Sequence, residues 1–512
     1  MAWNKSNALR FFLAMALAFG VGVRFLALTQ WKQGLAHDES LSYLCAAATE
    51  GRYEREIPSL ADTLITASVI QSYYDRPTGF RFGLVAHDLV HYDGHPPLYY
   101  WALHAQYVLF GNGFTGGLWL NVLADLLALL LLYRLAREAL GGGHAALAAC
   151  VIWYLSPAVV QADLEARQYA FWALFATASY LLSWRIAERG ASTGRLLLFT
   201  VVNALGFLTH YFYGFVLVPG LWLIWRRHRF TAPAWRYVAS LAASVALFLL
   251  AFPQFFQFVA LFTTRVGSIT AMPTVWDGVR TLTYSIVDFF AEEPRLRYVY
   301  LAMAAAAAAI LATRLAKGRL RMDFGIHSAM AFVWLALAWC FAFALASYFG
   351  RLSPTTFVGQ RYFSFLWPLF AIAVVHVVRL VLPARLRAPL LVGYVLLLGH
   401  SFTVAARYPT YIPRMVSQAW RPVMDRGDLL VVTDKSRGFL PRTMRGVAPQ
   451  TPLYILKHVM PEVMGKRQVV FIHPLRKNRE TAERFMDWMG GQGFRVDETR
   501  RIETYAMVVF RR

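Results

Sequence analysis

Long apolar runs separated by short basic turns recur along residues 1–405 and then stop. An α-helix needs about 20 apolar residues to cross a bilayer core. The first run covers 9–29, behind Lys5 and Arg10. It is long for a signal-peptide core and has no small-residue cleavage site, so it reads as an uncleaved helix. Further runs occur at 117–133, 145–160, 169–183, 237–253, 298–313, 326–349, 363–378 and 390–405. The stretch 196–225 has Arg195 before it and Arg226, Arg227 and Arg229 after it. Basic flanks on both ends place both ends on one side of a membrane, which predicts two short helices turning near Thr209-His210-Tyr211. With that hairpin the pattern predicts a mainly α, polytopic membrane protein of about eleven spans.

Basic residues set the predicted orientation. Lys5 and Arg10 hold the start of the chain in the cytoplasm, and every turn then assigned to that side carries arginine or lysine. The loop 30–95 falls outside, with nine acidic residues. Part of it, at 40–48, reads as an amphipathic helix. The segment 97–110 carries Tyr99, Tyr100, Trp101, His104 and Tyr107. It is too short and too polar to span, and predicts a helix lying at the outer interface.

After 405 the period changes. The runs 427–433, 468–472 and 505–510 read as strands, and 479–489 as a helix. The expected organisation is a membrane domain over 1–405 with a first extracytoplasmic loop over 30–116. A small soluble α/β domain over 406–512 comes after it, outside the membrane.

Composition narrows the function classes. Of 512 residues, 58% are hydrophobic and 16% charged, below the charge of a soluble domain. The formal net charge of +22 does not point to nucleic acid. The basic residues sit between apolar runs, and no ordered aromatic–basic motif is present. Topology and anionic headgroups account for them better. The three cysteines, Cys45, Cys150 and Cys340, have no disulfide-framework or metal spacing.

Six polar positions or clusters interrupt this apolar chain. Asp38-Glu39 comes just after the first helix. Adjacent acids raise each other's proton affinity, which suits a general base or a shared cation, and they also suit a helix start. His95 stands before the Pro96-Pro97 turn as a candidate phosphate contact. Glu165, Arg167 and Tyr169 lie at the outer end of one helix; Gln360, Arg361 and Tyr362 lie at the outer end of another. His210 marks the hairpin turn. An arginine beside a glutamate is either a structural ion pair or a fork for a phosphate. Asn121 and Asp125, one turn apart, read as buried packing partners.

The motifs His-Asp-Glu-Ser-Leu-Ser-Tyr at 37–43, Gly-His-Pro-Pro-Leu-Tyr-Tyr-Trp at 94–101, Leu-Glu-Ala-Arg-Gln-Tyr-Ala at 164–170 and Gln-Arg-Tyr-Phe at 360–363 resemble the GT-C fold glycosyltransferases. The resemblance is to bacterial relatives of the dolichyl-phosphate-mannose–protein mannosyltransferases and of the lipid A aminoarabinose transferase. It implies a polyprenyl-phosphate sugar donor, a hydroxyl acceptor (protein, glycolipid or polysaccharide) and transfer with inversion at the outer face of a bacterial inner membrane. By the family's motif Asp38 is the base, with Glu39 beside it. His95 stands where the aminoarabinose transferases carry a phosphate-binding lysine, Glu165 is the second acid, and Arg361 holds the departing phosphate. A divalent cation, held by Asp38 and Glu39 if anywhere, stays open. The alternative class is a polytopic lipid or sugar transporter or flippase. Such proteins often show inverted repeats and helices broken at the midplane, and this chain shows no repeat.

Overall fold

The structure is a computed structural model of the chain. It describes residues 5–32, 34–111, 113, 115–266, 275–291, 293–317, 328–349, 360–424, 429–434, 440, 444, 447–474, 479–502 and 505–512. Most of the loop expected over 350–361, and the basic turn with Arg319 and Arg321, lie outside the described residues.

Each apolar run of the sequence folds as helix, but their lengths differ. Among the described residues five helices are long and apolar enough to cross a membrane: Asn7–Trp31, Gly116–Leu140, Ala232–Ala251, Arg295–Arg314 and Ala384–Arg407. A sixth crossing is broken, with Gly143–Tyr154 and Pro157–Asp163 meeting at 59°. Pro157 has no amide hydrogen and cannot continue the helix before it. Thr193–Phe207, Ala329–Phe343 and Trp367–Val381 are apolar but short. Length and composition therefore do not confirm eleven full spans among the described residues. The last of the five spans ends at Arg407, near the expected 405, and its helix runs on to Met424.

The hairpin expected over 196–225 forms from Thr193–Phe207 and Gly214–His228, joined through a tight turn at Tyr211–Tyr213. A Cβ on Gly206 would fall 2.1 Å from the Tyr213 ring. Glycine there lets Tyr213 lie flat on the helix and donate its hydroxyl to Asn203 Oδ1 at 2.9 Å and Phe175 O at 3.0 Å. Irregular backbone at this depth is tolerated because protein groups satisfy it.

The chain divides into two compact units: residues 1–26, 94–99 and 118–407, and residues 27–93, 100–117 and 408–512. The first holds the membrane helices. In the second, six strands form one sheet in the order β1-β3-β2-β4-β6-β5: β1 Leu64–Thr66, β2 Leu429–Asp434, β3 Pro452–Leu456, β4 Gln468–Pro474, β5 Arg495–Ile502 and β6 Tyr505–Arg511. β2 runs parallel to β3 and β4, and β6 antiparallel to β4 and β5. The amphipathic helix Arg479–Gly491 closes one face, with Phe485 and Met489 packed on Val432, Phe471 and Phe510.

β1 comes from the first loop and pairs antiparallel with β3, Leu64 opposite Tyr454. Beside it the Asp62 carboxylate accepts the backbone N–H of Lys457 at 2.8 Å and of His458 at 3.0 Å. Desolvation alone would raise this carboxyl, but the N–H groups of His458, Lys457 and Val459 outweigh it and hold it below the usual aspartate value. Gln71 adds bonds from its side-chain amide to the carbonyls of Met444 and Val447 at 2.8 and 2.7 Å. The loop is thus stitched to the C-terminal sheet by backbone pairing and side-chain caps.

The helix expected at 40–48 is His37–Ala46, and it is not amphipathic. Ser40 to Ala46 are all buried, because the rest of the loop folds over it. The helix expected over 97–110 is Leu98–Phe110, close to the expected bounds.

Asp62→Ala removes the acceptor that fixes the start of β1. Amide exchange at 61–66 and 455–458 is expected to speed up while the β4–β6 core stays protected. The carboxylate's contribution is present above the usual aspartate pKa and fades as pH falls through its lowered folded value, so acid reproduces the mutant pattern. Hydrogen-exchange mass spectrometry reads both; unchanged exchange in the variant removes the role.

Candidate active site

In the membrane unit the break between Pro157–Asp163 and Tyr169–Arg189 leaves a turn at Leu164–Gln168, and Glu165 stands on it. Asn121 fixes this turn by donating its side-chain amide to the carbonyls of Asp163 and Glu165 at 3.1 and 2.8 Å. Arg361 lies on the short 3-10 turn Gln360–Phe363. Its Nη1 donates to both Glu165 oxygens, at 3.0 and 3.1 Å. The pair keeps some exposure, 30% for the arginine and 18% for the glutamate.

Two tyrosines wall the pair. The Arg361 guanidinium is 5.6 Å from the ring centres of both Tyr169 and Tyr362, and the two rings meet edge to face. Arg167 is buried at 5% exposure and acts electrostatically on Tyr169, as do Arg361 and Glu165. Glu165, Arg167, Tyr169, Arg361 and Tyr362 therefore form one cluster. The side chain of Gln360 lies outside the described residues.

One turn along from Tyr169, Trp172 stacks on His210, ring centres 3.7 Å apart and nearly coplanar, and on Phe365 at 4.5 Å. His210 Nδ1 accepts the Phe212 N–H at 3.2 Å, so the hairpin turn orients the ring. His95 is near enough to act electrostatically on His210. The two histidines thus share a neighbourhood, as their places in the sequence suggested.

Deeper in the same unit Arg24 pairs with Asp163 at 2.6 Å, both side chains essentially unexposed. Asp125 is buried beside them, and Asp163 acts on it electrostatically.

Asp38 and Glu39 belong to the other unit, and their surroundings differ. The Glu39 carboxylate is fully buried, with Oε2 taking Lys32 Nζ and the Ala36 N–H, each at 2.6 Å. Asp38, one residue earlier on the same helix, is half-buried. Ser42 donates to the Asp38 carbonyl at 3.2 Å and Tyr74 to the Ser40 carbonyl at 3.1 Å, which secure the helix start. Among the described residues no group of three His, Cys, Asp or Glu is arranged to hold a metal ion.

Sequence reasoning passed over Lys32 and Trp172. Lys32 looked like an ordinary basic flank of the first helix, and Trp172 like one aromatic among many. A lysine three residues after an apolar run and seven before a glutamate was the available signal.

The model of the dolichyl-phosphate-mannose-protein mannosyltransferase family matches residues 94–252. No curated protein matches the chain by sequence. Solved structures match it in fold. ArnT from Cupriavidus metallidurans in the apo state aligns with TM-score 0.55 at 12% identity, covering 98% of each chain. The same protein bound to undecaprenyl phosphate aligns with TM-score 0.56 at 14% identity, covering 99% of this chain and 98% of that one. The chain therefore has a GT-C-like fold, that of integral membrane glycosyltransferases. Within that class its likeness is to ArnT over almost the whole length, the small C-terminal sheet domain included.

Lys32→Met leaves a buried carboxylate without its cation, which costs about 3–5 kcal/mol. The double change Lys32→Met/Glu39→Leu is expected to recover most of that loss, because neither charge is then stranded. Thermal unfolding of the purified protein measures both; a single variant as stable as the natural chain refutes the buried pair.

Proposed function

We propose that the protein is an inverting glycosyltransferase that moves a sugar from a polyprenyl-phosphate donor to a hydroxyl acceptor at the outer face of a bacterial inner membrane. The observation that carries this reading is the Arg361–Glu165 pair, walled by Tyr169 and Tyr362, on a fold shared with a protein that binds undecaprenyl phosphate. A guanidinium at 30% exposure, set between aromatic faces, suits a phosphate monoester on a lipid.

In the proposed reaction Asp38 takes the proton of the acceptor hydroxyl as its oxygen attacks the anomeric carbon. The bond from that carbon to the phosphate oxygen breaks, and polyprenyl phosphate leaves with the electron pair. Arg361 meets the charge that develops on the leaving oxygen, with Arg167, His95 and His210 as further cationic or donor groups. Glu165 holds Arg361 in place. Glu39 carries no proton in this scheme; its bond to Lys32 holds the helix on which Asp38 stands. The apolar surroundings keep water from the donor, which would otherwise hydrolyse it.

Asp38→Asn is expected to lower transfer by about 10²-fold or more and to leave unfolding temperature unchanged. Full turnover in that variant would falsify the assignment of the base. Arg361→Ala and His95→Ala are expected to raise the KM for donor, with Arg361→Ala the larger effect; unchanged donor kinetics in both remove them from the site. The deciding assay reconstitutes the protein with a panel of polyprenyl-phosphate sugars and an acceptor mixture, and scores released polyprenyl phosphate. Movement of intact lipid between leaflets with no release from any donor returns the question to the transporter reading.

A further inference from the structure

A groove of about 460 Å³ opens in the membrane unit among the helices Gly214–His228, Pro294–Ala316, Ala329–Phe349 and Trp367–Val381. Its volume falls in the range of small-molecule sites, about 300–1,000 Å³. Its walls are apolar, with Trp222, Leu311, Trp334 and Leu380 among them. It lies toward the arginine-bearing ends of the helices, whereas Arg361 and Phe365 lie just before the opposite end of Trp367–Val381. The groove is therefore separate from the candidate active site.

Three of the four helices carry an arginine just beyond the lining residues. Arg226 comes three positions after Leu223, and Arg314 three after Leu311, so each shares the lining face one turn further out. Arg379 adjoins Leu380. Contacts tie Arg226 and Arg314 to the rim. The Arg226 guanidinium is 5.8 Å from the Trp222 ring centre, and Arg314 donates to the carbonyl of the lining residue Leu380. Arg379 donates to the Leu140 carbonyl. None of the three has an ion-pair partner among the described residues. The acids in the neighbouring helices are engaged elsewhere: Glu138 with Arg185 and Arg189, Glu188 with Arg227.

An apolar channel ending in three arginines that pair with no carboxylate among the described residues is complementary to one kind of molecule. We propose that the groove binds an anionic phospholipid, one acyl chain between the helices and the phosphate head on Arg226, Arg314 and Arg379. A backbone carbonyl takes only part of the donor fork of Arg314 and of Arg379, which leaves N–H groups for phosphate oxygens. The Trp334 indole N–H has no acceptor among the described residues, and it gives the groove a donor for a glycerol ester. A zwitterionic lipid fills the same apolar space but brings a cation to a rim that is already positive. The site therefore selects by charge.

The test is native mass spectrometry of the full chain released from nanodiscs of phosphatidylcholine doped with phosphatidylglycerol. Bound phosphatidylglycerol is expected to be enriched over its share of the bilayer. Each Arg→Gln change at 226, 314 and 379 is expected to lower that enrichment roughly fivefold, the worth of one basic residue near an anionic surface. The triple variant is expected to retain both lipids equally. Ala338→Trp, which fills the groove, is expected to reduce retention of both lipids. No enrichment in the natural chain, enrichment that survives the triple variant, or retention untouched by Ala338→Trp overturns the proposal. Displacement of phosphatidylglycerol by added polyprenyl phosphate also overturns it and assigns the groove to the donor's tail. None of these readouts depends on sugar transfer.

Discussion

A buried arginine on the first helix carries much of the architecture of the membrane unit. Arg24 reaches Asp163 with Nε at 2.8 Å and Nη2 at 2.6 Å, and its guanidinium lies 3.8 Å from the Tyr154 ring centre. Taking two such charges out of water costs several kcal/mol per ion, and only close geometry offsets it. The close geometry begins at Gly20. A Cβ there would fall 2.8 Å from Leu155 and 3.0 Å from Tyr154, so glycine lets the first helix lie against the 143–154 helix. The pair then sets where the helix ending at Asp163 stops. Asn121 holds the carbonyls on either side of that stop, and Glu165 is two residues further on. The partly exposed Arg361–Glu165 pair thus hangs from a deeper, dry pair that has no access to substrate.

The other unit repeats the arrangement on a smaller scale. Successive helical residues point about 100° apart. One of two adjacent acids can therefore face inward while the other does not. Glu39 faces inward and is neutralised by Lys32; Asp38 is only half-buried. The doublet thus divides into a buried carboxylate paired with Lys32 and a half-buried one beside it.

Apolar run length and basic flanks are local properties, and the runs they marked fold as helices among the described residues, the hairpin over 196–225 included. Pro157 was visible in the run 145–160, yet run length hid the 59° break it makes. Pairings across long sequence separations were beyond reach. Nothing in Leu64-Ile65-Thr66 marks it as the edge strand of a sheet whose other members lie beyond residue 428, because three residues have no readable period. The same holds for Lys32. Its partner is seven residues away, but a loop separates the π-helical end of the first helix from the helix of Glu39, so no helical spacing pointed to the pair. The cluster of Glu165, Arg167, Tyr169, Arg361 and Tyr362 was legible as a common level at helix ends. Its ion pair and ring geometry were not.

These candidate residues stand where helices stop, and the reason is physical. A break inside an apolar region exposes backbone N–H and C=O groups that neither lipid nor a helix satisfies, so polar side chains must be placed there. Ser156 donates to the Phe289 carbonyl at 2.6 Å beside one break, and Asn121 serves another. Each such side chain has further polar atoms held in a fixed orientation. At His210 that orientation has a chemical consequence. The ring Nδ1 accepts the Phe212 N–H, so a neutral imidazole carries its proton on Nε2. Trp172, stacked 3.7 Å away, fixes the ring plane. The Nε2 edge of His210 is therefore a donor, the polarity that a phosphate oxygen requires, and the backbone break that seemed a cost to the fold is what sets it.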